Sequence, residues 1–175
     1  ILNRRQALNR QGYRRSIDIL LDKTTVEQPV SITDKIKRLF NKKKVFITSD
    51  HHFYHNNIIK YCNRPYSSVF EMNEDMINKW NNVVSKNDIV YHLGDFALTG
   101  EGDEYFRKIK KIRNRLKGKI YILIGNHDKK GNRVQLLRKA GFKIINKKYI
   151  IKKNLILSHS PLSTIKNGYV NVHGH

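Results

Sequence analysis

The chain has 175 residues, with 35 Lys and Arg against 14 Asp and Glu, a formal net charge of +21, and 39% hydrophobic residues. This length supports one domain with a real core, and the hydrophobic fraction fits a globular chain. No apolar run approaches the roughly 20 residues of a membrane span, the polar, arginine-rich start lacks a secretory-leader pattern, and the single Cys62 excludes an intrachain disulfide.

A reducing, cytoplasmic setting is therefore expected. The first residue is Ile1 rather than Met, so further residues upstream are expected. The charge has two readings. One is an anionic partner such as nucleic acid, bound without sequence preference. The other is the codon bias of an A/T-rich genome, which fits the abundance of Asn and Ile and the spread of Lys and Arg along the whole chain.

Residues 1–44 hold twelve Lys and Arg against four Asp and Glu and have no strand-like run. They read as a basic helical N-terminal extension, through which a larger assembly or nucleic acid can be contacted. Residues 4–22 predict a basic helix. Ser31 caps a second, with Ile32, Ile36, Leu39 and Phe40 as its apolar stripe.

From residue 45 the pattern changes, and residues 45–175 read as one domain. Val45 to Thr48 is a short apolar strand. Ser68 with Glu71 forms a capping box, and the helix behind it places Phe70, Ile77, Trp80 and Val84 on one face. Ile89 to Leu93 is a second strand. A helix from Asp103 turns Phe106, Ile109, Ile112 and Leu116 inward. Ile120 to Ile124 is a third strand, and Val134 to Leu137 lie in a short helix. Ile144 to Ile151 and Leu155 to Leu157 are later strands. Strands alternating with helices predict an α/β fold.

Four of these strands run into metal-ligand side chains. Val45–Thr48 leads to Asp50 and His52, and Ile89–Leu93 to Gly94 and Asp95. Ile120–Ile124 leads to Gly125, Asn126, His127 and Asp128, and Leu155–Leu157 to Ser158 and His159. In α/β sheets, functional groups gather beyond the carboxyl ends of the strands. Carboxylate, amide oxygen and imidazole suit manganese, iron or zinc, and the lack of a thiolate cluster argues against a structural zinc site. A carboxylate such as Asp95 can bridge two cations, which together clamp a phosphoryl group.

The ordered set Asp50-x-His52, Gly94-Asp95, Gly125-Asn126-His127-Asp128, Ser158-His159 and Gly174-His175 resembles the five motifs of the calcineurin-like metallophosphoesterases. The stretch from Ser49 to Ile59 resembles a small branch found in bacteria and their phages. The resemblance covers roughly residues 44–175 and implies two facing mixed β-sheets flanked by helices. It also implies a metal-dependent phosphoesterase that cleaves a phosphodiester or phosphomonoester with a hydroxide bridging two divalent ions, manganese placed first and iron or zinc as alternatives. Asp50 and His52 would hold the first ion, Asp95 would bridge, and Asn126, His159 and His175 would hold the second. His127 would act on the substrate as the catalytic histidine, beside Asp95.

Two departures stand out. Leu98 occupies the place where many members carry a second acid, so Asp128 becomes the candidate partner of His127. The family's last motif is Gly-His-x-His, and the sequence given ends at His175, so a last ligand of the first ion and closing strands are expected beyond it. Among the remaining residues, His55 is a candidate pocket residue touching phosphate, and Arg64 a candidate phosphate clamp. His92 and His51 read as packed histidines, His173 as a pocket-lining one, and Cys62 as a small buried group. The competing reading is a basic nucleic-acid-binding or assembly component that keeps a degenerate, weakly active phosphoesterase domain.

Overall fold

The computed structural model describes residues 17–19, 43–145 and 149–175. Strands β2 (Val45–Thr48), β3 (Ile89–His92), β4 (Lys119–Leu123) and β5 (Lys143–Ile145) run parallel. Strand β1 (Ile17–Ile19) pairs antiparallel with β2, giving a five-stranded sheet in the order β1-β2-β3-β4-β5. Thr48 pairs with His92, and His92 with Ile122. The segments that follow β2, β3 and β4 therefore leave the same edge of the sheet.

Each parallel crossover is helical. A single turn, α1 (Ile58–Tyr61), and α2 (Val69–Val83) join β2 to β3; α3 (Gly102–Arg115) joins β3 to β4; α4 (Arg133–Ala140) joins β4 to β5. At the start of α2, Ser68 Oγ accepts from the Glu71 amide at 3.2 Å. The Glu71 carboxylate turns back to the Ser67 amide at 2.8 Å, one residue ahead of the cap. The α2 face that packs inward is Met72, Met76, Ile77 and Trp80. Phe70, expected on that face, is 72% exposed: it lies at the margin of the arc and in the first turn, ahead of the buried set. In α3, Tyr105 joins Ile109 and Ile112 in the interior.

Alternation along the strands divides the core. Phe46, Val90, Ile120 and Ile122 point to the helices and meet Met72, Trp80, Ile109, Ile112 and Leu137. Ile47, Leu93 and Leu123 point the other way and pack with Leu157. Leu157 belongs to a three-stranded sheet. There β6 (Tyr149–Lys152) pairs antiparallel with β7 (Leu155–Ser158), and β7 pairs parallel with β8 (Val170–His173).

Two expectations are corrected, and one strand is added. The helix over residues 4–22 does not hold at Ile17–Ile19, which is a strand paired with the open edge of β2, Ile17 opposite Ile47. Edge backbone groups that would otherwise go unpaired outweigh a weak helical pattern. The rest of that helix and the one capped by Ser31 fall outside the described residues. The run Ile144–Ile151 is not one strand, because β5 and β6 belong to different sheets. Finally, β8 is a strand with no counterpart in the sequence reading. Among the described residues, no helix is long and apolar enough to cross a membrane.

Candidate metal centre

Beyond the strand ends the loops are fastened to each other by main-chain bonds. The amides of Asp50, His52 and Phe53 donate to the carbonyls of Gly94, Asp95 and Phe96 at 3.0, 3.1 and 2.9 Å. Asp50, His52 and Asp95 have φ of 55°, 52° and 55°, a left-handed conformation uncommon outside glycine. Such strain persists only where the surroundings over-determine it. Here the fully buried rings of Phe53 and Phe96 lie 5.2 Å apart beneath the loops. From the outer side Arg64 donates to the carbonyls of Asp50 and His51 at 2.9 and 2.8 Å.

Gly125 allows a close approach to Asp95. A Cβ there would overlap the backbone nitrogen and Oδ1 of Asp95. The β3 and β4 loops therefore touch main chain to side chain, and the His127 amide donates to Asp95 Oδ1 at 2.9 Å.

Asp95 Oδ2 is left facing a ring of imidazoles. It lies 3.7 Å from His52 Nε2, 3.7 Å from His159 Nε2 and 4.0 Å from His127 Nε2. These distances are too long for hydrogen bonds. Two donor atoms bound to one ion stand roughly 3–3.5 Å apart, so a cation needs only a slight closure here. Asp50, His52 and Asp95 bring one ligand atom each to within 4.8 Å of one another.

His159 provides a second test of fit. Its Nδ1–H donates to the Leu93 carbonyl at 2.8 Å, which leaves Nε2 as a lone pair in the neutral ring. That lone pair faces Asn126 Oδ1 at 2.7 Å. Two acceptors this close repel unless a cation or proton serves both. The donor set thus fits divalent metal, and the second-sphere bond to Leu93 selects the tautomer that binds it. His175 is exposed, its amide donating to Asp50 Oδ2 at 3.0 Å and its ring 5.4 Å from that of His159.

Burial, and then the charge of Arg64 and the neighbouring histidines, pushes the His52 pKa down to about 3. Burial and His127 also lower that of His55. The His52 ring is therefore held neutral, as ligation requires. His55 Nδ1 sits 3.4 Å from His52 Nδ1, and its ring is 6.3 Å from that of His127. His51 and His92 pair through Nδ1 and Nε2 at 3.0 Å below the loops, and burial lowers both pKa values, that of His51 to about 4. Since His92 Nδ1 accepts from the Gly94 amide at 3.2 Å, its Nε2–H donates to His51.

Several placements differ from the sequence reading. Asp128 is not available to His127. Its carboxylate is fully buried and accepts from the amides of Asp95, Gly125 and Phe96 at 2.8, 3.0 and 3.2 Å. Burial pushes its pKa up to about 6, with the Asp95 charge acting the same way and the three amides opposing. Arg64 spends its terminal nitrogens on the ligand loop, an arrangement that gives no support to a phosphate clamp. Cys62 is exposed rather than buried. Arg133 went unnoticed in the sequence. It is buried under the His127 turn and donates to the carbonyls of His127 at 3.0 Å and Thr99 at 2.8 Å. Its only signal in the sequence is a charged residue just ahead of the short helix read over Val134 to Leu137.

A family model described as calcineurin-like phosphoesterase matches residues 43–175. The chain belongs to the calcineurin-like phosphoesterase family. It is 40% identical over 136 residues to Uncharacterized protein MJ1445 of Methanocaldococcus jannaschii, a match covering 76% of this chain and 69% of that protein. Among solved structures it is similar to the protein of unknown function AQ665 from Aquifex aeolicus, with 32% identity and a TM-score of 0.49. That match covers 67% of this chain and 60% of the Aquifex chain, less than two thirds of its length. Family membership makes this a phosphoesterase domain, and the group formed by Asp50, His52 and Asp95 is its candidate metal site.

Proposed function

We propose that this protein hydrolyses a phosphodiester or phosphomonoester at a dinuclear metal centre. The observation that carries the reading is the convergence of His52, His159 and His127 Nε2 on Asp95 Oδ2, at 3.7, 3.7 and 4.0 Å. Asp50 and His52 would hold one ion, Asn126, His159 and His175 the other, and Asp95 would serve both. Manganese is the first candidate, ahead of iron and zinc. Divalent ions held there would neutralise phosphoryl oxygens and make water a stronger nucleophile.

The protein's own groups do the rest. Asp95 uses Oδ1 to hold the His127 amide and so keeps Oδ2 for ligation. His127 is fixed at its amide by Asp95 and at its carbonyl by Arg133, while its side chain is partly open to solvent. It is placed to give a proton to the leaving oxygen. The apolar cluster of Ile47, Leu93, Leu123 and Leu157 supports a layered fold in which the two sheets face one another.

The test is turnover of bis(p-nitrophenyl) phosphate and p-nitrophenyl phosphate by protein of measured metal content. Metal-dependent hydrolysis of at least one is expected, abolished by a chelator and restored by Mn²⁺. Protein that binds two equivalents of metal and turns over neither ester would sink the proposal.

A further inference from the structure

Tyr61 ends the α1 turn and is 73% exposed. Its ring stands edge-on to that of His55, with centroids 6.2 Å apart and planes at 78°. The His55 ring is in turn 5.3 Å from His52 and 6.3 Å from His127. A run of aromatic rings thus leads from solvent to the imidazoles around Asp95.

The mount of this ring is firm. The Tyr61 and Cys62 amides donate to the carbonyls of Asn57 and Ile58, both at 3.0 Å, and the Arg64 amide to that of Ile59 at 2.8 Å. Ile58 is buried and roots the turn in the core. Arg64, three residues after Tyr61, grips the Asp50 and His51 carbonyls, so the turn is tied to the ligand loop itself. A single exposed aromatic on a surface is ordinary. A rigidly held one, one ring away from His52 and His127, is a contact surface set at a fixed distance from the candidate metal centre. Most of its surface is open to solvent, and the ring stands nearly perpendicular to that of His55, which leaves room for a flat group to stack.

We propose that Tyr61, backed by His55, forms a stacking subsite for a flat heteroaromatic group carried by the phosphoester, so that the substrate class is nucleotide-like rather than a simple alkyl phosphate. This inference rests on the phosphoesterase reading. Stacking of a base on an aromatic side chain tolerates any base, because every base has a π-face. The subsite therefore selects for a base without selecting which one.

The test compares thymidine 5′-(p-nitrophenyl phosphate) with methyl p-nitrophenyl phosphate. The two share a leaving group and differ only in the nucleoside. The wild-type ratio of kcat/KM should favour the nucleotide, and Tyr61→Ala should lower that ratio at least about fivefold, with Tyr61→Phe keeping it. A parallel calorimetric titration with thymidine 5′-monophosphate and with methyl phosphate should show the same loss of discrimination in Tyr61→Ala. Tyr61 is exposed, so its truncation does not threaten folding. A ratio unchanged by Tyr61→Ala overturns the subsite. If the wild type turns over neither ester, the phosphoesterase reading fails instead. The calorimetric comparison then decides the subsite alone, and equal discrimination by wild type and Tyr61→Ala rejects it.

Discussion

Asp50, His52, Asp95 and His127 stand on loops leaving the parallel sheet, whereas His159 and His175 come from the three-stranded sheet, and the two groups are held in different ways. The first group is braced from within. Its loops exchange main-chain bonds, Asp128 binds three of their amides, and Arg64 and Arg133 hold three of their carbonyls, those of Asp50, His51 and His127. The second group is positioned by reaching across to the first. His159 leans on the Leu93 carbonyl, and His175, exposed, on the Asp50 carboxylate. A metal centre can thus be preorganised on one side and completed from the other, with left-handed backbone at Asp50, His52 and Asp95 on the braced side and at His175 on the other.

The largest effect expected is from Asp95→Asn. Asp95 belongs to both proposed ion sites, so losing its charge should lower turnover on the order of 10⁴-fold, the scale seen when one member of a unit is removed. The retained Oδ1 still accepts from the His127 amide, so circular dichroism should show an intact fold. Full activity at unchanged metal content would mean that the braced side does not carry the bridge.

His127→Ala comes next. Turnover should fall by about 10²–10³-fold, within the range for general acid–base help, while metal analysis shows the ions retained. Loss of an ion instead would move His127 from the substrate to the ligand set.

Asp128→Ala separates bracing from chemistry. It leaves three buried amides without an acceptor, and at about 1–3 kcal/mol for each unsatisfied group a loss of about 3–5 kcal/mol is expected in urea unfolding. A change below about 1 kcal/mol would show that the loops are held by something other than this carboxylate.

The smallest expected effect comes from chelation, and it sharpens the comparison most directly. Amide exchange across residues 159–175 should quicken by about tenfold without metal, while residues 45–53 and 89–97 stay as they were. Equal acceleration on both sides would mean that neither is preorganised.

The ligand types and their order were legible in the chain because each follows an apolar run of strand length. Glycines at 94 and 125 marked where the backbone must turn or approach closely. The α/β class was legible for the same local reason, alternation of strand and helix patterns. The helix faces were read less well. Phe70 was placed inside, and the buried Met72, Met76 and Tyr105 were passed over, since periodicity alone does not say where a helix's packed arc begins.

Tertiary structure decided what depends on partners distant in sequence. Ile17–Ile19 becomes a strand only because β2 has an open edge, and Lys143–Ile145 and Tyr149–Lys152 belong to two different sheets that no local pattern distinguishes. The roles of Asp128, Arg64 and Arg133 rest on carbonyls and amides brought from up to 34 residues away. The His159 tautomer rests on a carbonyl 66 residues away. A chain shows which groups can donate or accept. Whether each spends that capacity on backbone, on a neighbour or on an ion is set by distances that exist only after the strands have paired.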